Sequence, residues 1–164
     1  MSILVRKINK TYWLQNNITA GEQISADAIT NCCKTTHNAL SVWKIDSESD
    51  LNDAILAIAS GQDHLTAIDI VMLSQEYLTD KGLEVNQCSG RTAVAALVDR
   101  HYDISNLSYE KIGVIANHIV EKFKEKKVIR YTLSKLKDIL KDAVNSNRLD
   151  PDQLSHSVKQ KISN

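Results

Sequence analysis

Between Ser108 and Phe123 the chain reads SYEKIGVIANHIVEKF, and its apolar residues fall at Ile112, Ile115, Ala116, Ile119, Val120 and Phe123. Steps of three and four trace one continuous stripe on a helix of 3.6 residues per turn. Ser108 can accept from a free amide of the first turn, and Glu110 places negative charge at the positive end of the helix dipole. Lys122, Lys124, Lys126 and Lys127 stand at the opposite end, where positive charge is favoured. The spacing predicts a spine helix on which the other elements bury their apolar faces.

The remaining segments supply both helices and strands. Ile3 to Ile8 and Ala39 to Ile45 are β-prone, and Ala67 to Leu73 (AIDIVML) reads as a strand buried on both faces. Thr11 to Leu14 is expected to be a second short strand or an aromatic plug, followed by a turn at Asn16, Asn17 and Gly21. Helices are expected after Ser25, after the capping box Ser47 to Asp50, and from Ser74 to Lys81. Further helices are predicted over Thr92 to His101, after Thr132 and after Asp150-Pro151. Leu83 to Arg91 reads as loop, and Val128 to Tyr131 as a brief strand or an extended connector. This order predicts an α/β or α+β fold with a small mixed sheet of about three to five short strands, with room for one parallel pair. The strands lie mostly in the N-terminal half. One domain is expected over 1–164, a mixed body at 1–107 carrying a mainly helical part at 108–164.

Function classes can be removed by composition. No apolar run approaches the roughly 20 residues of a membrane span, and MSILVRKINK lacks the apolar core of a secretory signal. Cys32, Cys33 and Cys88 are an odd count, unsuited to a disulfide framework, and are expected to be reduced thiols in the cytoplasm. Net charge is zero, but residues 1–120 carry −5 and residues 121–164 carry +5. That asymmetry marks either a partner-facing surface or a basic tail folded back on an acidic body.

Five stretches hold chemistry-bearing residues. Cys32-Cys33 with His37 resembles a thiol–imidazole pair, but adjacent cysteines diverge on a helix and no second pair completes a zinc set. Asp99, His101 and Asp103 could form a general base held between carboxylates, with His101 placed at a helix C-terminus. Cys88-Ser89-Gly90-Arg91-Thr92 leads into a helix whose amides could bind an anion, without completing a P-loop. Asp46 to Asp50 has alternating oxygen ligands but Leu51 and Ala57 where a calcium loop needs glycine and an acid. Lys122, Lys124, Lys126, Lys127 and Arg130 form the densest basic run, with Tyr131 available to stack. No metal and no cofactor is expected.

These readings predict a non-enzymatic, cytoplasmic protein-interaction domain. It would be a regulatory, neutralising (immunity- or antitoxin-like) or accessory subunit that meets another protein through the basic run. The alternatives are a nucleic-acid-associated protein using residues 122–141 and a small enzyme centred on Asp99 to Asp103.

Overall fold

The computed structural model describes residues 2–14 and 24–163; the turn expected at Asn16, Asn17 and Gly21 lies outside them. Its centre is a sheet of six strands: β1 (Ile3–Ile8), β2 (Leu40–Ile45), β3 (Ile68–Ser74), β4 (Glu84–Gln87), β5 (His101–Ser105) and β6 (Val128–Tyr131). They lie in the order β4-β5-β2-β1-β3-β6, and every neighbouring pair is antiparallel. The expected three to five strands are therefore six, and the sheet has no parallel pair among the described residues. Two strands account for the shortfall. β4 was hidden in the polar run EVNQ, and β5 in the titratable run HYDIS, whose alternation of Tyr102 and Ile104 is too short to stand out.

Helices cover both faces. On one lie α3 (Leu51–Ser60), α6 (Leu133–Asn145) and α7 (His156–Ser163), which bury Ile55, Leu140 and Val158 against Val5, Ile68 and Ile70. On the other lie α1 (Thr11–Leu14), α2 (Ala26–Cys32), α4 (Gln75–Asp80) and α5 (Tyr109–Lys124). Ala28, Leu78, Ile115 and Ile119 there meet Leu4, Val71 and Leu73. β3 alternates its side chains between these two cores, which explains why IDIVML is buried throughout.

The expected spine is thus corrected: α5 covers one face only, and the sheet lies between the two cores, with β1 paired to β3 from Ile3 opposite Ser74 to Ile8 opposite Asp69. Thr11 to Leu14 is one helical turn that buries Trp13, and 95–100 is a 3₁₀ turn rather than a full helix. The start signal at Asp150-Pro151 opens only a 3₁₀ turn, Pro151–Gln153, with α7 beginning at His156, but four others hold. Ser25, Ser74, Ser108 and Thr132 each accept a backbone N–H of the helix that follows. No helix among the described residues is long and apolar enough to cross a membrane.

Candidate functional site

Alternation along β5 places His101 and Asp103 on one face of the sheet, with Tyr102 and Ile104 on the other. The ladder to β2 sets Trp43 opposite His101 and Ser41 opposite Asp103. From the other side, β4 ends with Gln87 opposite Tyr102, and the Cys88 N–H donates to the His101 carbonyl at 3.1 Å. Cys88 Sγ consequently lies 3.0 Å from His101 Nδ1. One donor atom each from Cys88, His101 and Asp103 lies within 4.8 Å of the others, and all three residues are half-buried.

The surroundings hold these groups in place. A Cβ at Gly90 would stand 2.5 Å from His101 Cβ and 2.6 Å from Trp43 Cη2, so the loop can lie this close only with glycine there. Its N–H donates to Val98 at 3.2 Å, which pins the loop from behind. The Trp43 indole meets the His101 ring edge-on, with centroids 5.1 Å apart. Ser41 Oγ donates to Asp103 Oδ1 at 3.1 Å, while the Ser41 carbonyl accepts from Arg6 Nη1 at 2.6 Å.

Electrostatics oppose an activated thiol. Burial, then hydrogen bonding to Asp103 and the charge of that carboxylate, push the Cys88 thiol up to about 11. Burial lowers His101 below the ordinary histidine value, against the opposing pull of Asp103 and a backbone hydrogen bond. In a nucleophilic triad the carboxylate orients the imidazole nitrogen remote from the nucleophile. Here the carboxylate acts on the thiol itself. What the arrangement does offer is one sulfur, one nitrogen and one oxygen donor converging on a common point.

Of the expected Asp99–His101–Asp103 group, the fold unites His101 and Asp103 and leaves Asp99 out. The Asp99 side chain is exposed and its carbonyl accepts from Gln87 Nε2 at 2.7 Å. His101 does not end a helix as expected. It opens a strand, because β2 offers it a ladder that the short turn before it cannot. Cys88 joins the site only through cross-strand register; the faint local trace is the His-x-Asp spacing, which any strand would put on one face. With residues 95–100 forming a 3₁₀ turn, the helix N-terminus expected after Arg91-Thr92 is absent as well, and Arg91 pairs with Asp63.

Elsewhere, Cys32 and Cys33 are buried, and burial chiefly pushes the Cys33 thiol up to about 11. His37 is exposed in a turn with φ of 53°. The Asp46 to Asp50 run is used locally: Asp46 pairs with Arg100 at 2.8 Å, and Ser47 and Asp50 close a capping box. The basic run is tied to the body at Lys127 and Arg130 and paired locally at Lys122. Lys122 pairs with Glu125 at 2.6 Å, Lys127 pairs with Glu48, and Arg130 pairs with Asp69 at 3.2 Å. Lys124 and Lys126 are exposed. Lys122 and Lys127 also rim a groove of about 400 Å³, with Ile3, Met72 and Leu73 among its lining and Asp46 and Glu48 on the same rim. No family model, curated protein or solved structure matches the chain.

Proposed function

We propose that this protein acts by binding another protein, as a non-enzymatic accessory, regulatory or neutralising subunit in the cytoplasm. The observation that carries this reading is the groove at the end of β1 and β3. Half-buried Ile3 gives it apolar surface above the buried Met72 and Leu73, and Lys122, Lys127, Asp46 and Glu48 give it charges of both signs. An apolar strip flanked by fixed charge is the form in which a partner segment is oriented as well as held. About 400 Å³ accommodates a few side chains of such a segment. The Lys127–Glu48 pair within the groove is one that a partner's own charges could exchange with. The three free thiols and the absence of a membrane-length helix among the described residues are compatible with this setting. Against catalysis stands the Cys88 thiol of the thiol–imidazole–carboxylate cluster, which burial and Asp103 push up rather than activate.

The experiment captures the partner from the native host and repeats the binding with both proteins purified. Lys122→Gln combined with Lys127→Gln should slow association and weaken its salt dependence while leaving circular dichroism unchanged. Random DNA and RNA form the second arm. Nucleic-acid affinity that falls linearly with log salt, and is lost in the same double variant, would replace the protein-partner reading with a nucleic-acid one.

A further inference from the structure

We infer that Cys88, His101 and Asp103 form a binding site for one zinc-class divalent cation, with its fourth coordination position open to solvent. The inference is independent of the groove, which involves none of these residues.

Donor chemistry comes first. A sulfur, an imidazole nitrogen and a carboxylate oxygen suit zinc and its close first-row relatives, whereas magnesium and calcium take oxygen ligands. A thiolate and a carboxylate would also balance the charge of a divalent ion, with the imidazole bound in its neutral form. Three protein ligands plus one open position is a common zinc arrangement when solvent reaches the site. Half-burial of all three residues provides that access.

Placement comes second. Two of the donors sit at alternate positions on β5, and the third is set beside His101 by a backbone hydrogen bond. None depends on a long excursion of chain. Their donor atoms already lie within 4.8 Å of one another. At ordinary bond lengths a tetrahedral zinc separates its sulfur and nitrogen ligands by about 3.6 Å. The present 3.0 Å contact between Cys88 and His101 must therefore open by roughly half an ångström, within reach of a small side-chain rotation.

The supporting groups come third. Metal-binding side chains are generally oriented by hydrogen bonds and packing from a surrounding layer. Asp103 receives a hydrogen bond from Ser41 Oγ on one oxygen, which leaves the other free to coordinate. His101 is wedged between the Trp43 edge and the Gly90 backbone, so packing orients its ring. A surface trio meeting by chance would have no reason to be braced from both sides.

The test titrates chelator-treated, reduced protein with Co²⁺ and then Zn²⁺. One equivalent of Co²⁺ should give a thiolate-to-metal charge-transfer band in the near ultraviolet and the intense visible bands of a tetrahedral site, both removed by excess Zn²⁺. Cys88→Ser should abolish the charge-transfer band, and Asp103→Asn should weaken binding at least tenfold. Ser41→Ala, which touches no ion, should weaken it by about 10-fold or more through loss of orientation. Cys32→Ser with Cys33→Ser should leave the spectrum unchanged. As a check that does not depend on a folded variant, Zn²⁺ should protect Cys88 of the unaltered protein from iodoacetamide, as read by peptide mass. Absence of the thiolate band, its survival in Cys88→Ser, or alkylation of Cys88 at an equal rate with and without Zn²⁺ would each overturn the site.

Discussion

Arg130 Nη1 lies 3.2 Å and 3.3 Å from the two carboxylate oxygens of Asp69, and the two residues sit directly opposite each other on β6 and β3. The Asp69 side chain is 6% exposed and that of Arg130 is 48% exposed, so the arginine carries to the surface a charge the sheet would otherwise bury unpaired. The Lys10 N–H donates to the same carboxylate at 3.2 Å.

Removing the arginine alone should therefore cost more than a surface pair would. Arg130→Ala is expected to lose about 1–3 kcal/mol in urea unfolding, because the Asp69 charge loses its only cationic partner among the described contacts. Adding Asp69→Asn should recover part of that loss, and a double-mutant cycle measures the coupling. Additive effects would show that solvent already screens the pair. The same relationship means that charge reversal at Arg130 perturbs the fold and does not isolate partner binding.

Two glycines should respond to alanine with opposite signs. At Gly90 the new methyl would collide with His101 and Trp43, so about 1–3 kcal/mol should be lost as the loop moves. Gly113 lies inside α5 with nothing within 4 Å of a built Cβ, so alanine there should gain about 0.5–1 kcal/mol. Chemical denaturation of the two variants in parallel checks the pair of signs.

What could be read from the sequence was what is decided locally. Ser25, Ser108 and Thr132 cap their helices because capping needs only an oxygen a few residues ahead of an apolar stripe. β3 could be read because six consecutive buried residues, facing both cores, leave an almost unbroken apolar run. β4 and β5 could not, since they lie at one end of the sheet and several of their side chains are polar. Their strand character comes from hydrogen bonds to partners far along the chain. The Cys88–His101–Asp103 site depends on that same register, so no local spacing could announce it. The charge asymmetry was visible in sequence, but only the fold reveals Lys127 on Glu48 and Arg130 on Asp69.

Lys126 follows the end of α5 with φ of 59°, in the left-handed region that favours glycine. Its N–H donates to Phe123 at 3.2 Å, and that of Lys127 donates to Lys122 at 2.9 Å, closing the helix end. Lys126→Gly should therefore raise stability by about 0.5–1 kcal/mol, while Lys126→Ala should give no gain. Equal melting temperatures for the two variants would show that the strain is negligible.

His118 should make the fold sensitive to acid. The ring is 2% exposed and stacks on Tyr77 with centroids 4.0 Å apart. Its Nε2 accepts the Ser74 N–H at 3.1 Å, and its Nδ1 faces Glu121 Oε2 at 3.1 Å. Protonating Nε2 would set a proton against that N–H donor. Burial lowers the pKa below the ordinary 6.5; Glu121 and Glu125 raise it and Lys122 lowers it further. In the interval between 6.5 and the lower folded value, the unfolded chain holds a proton that the folded chain does not. Stability must then fall as pH falls through that interval, and the loss is complete below the folded value. His101 is depressed too and adds to the effect. His118→Gln keeps an acceptor for Ser74 without the ionisation, so the drop in urea midpoint below neutrality should become shallower but not vanish. An unchanged pH profile in His118→Gln would show that this imidazole already exchanges its proton without disturbing Ser74.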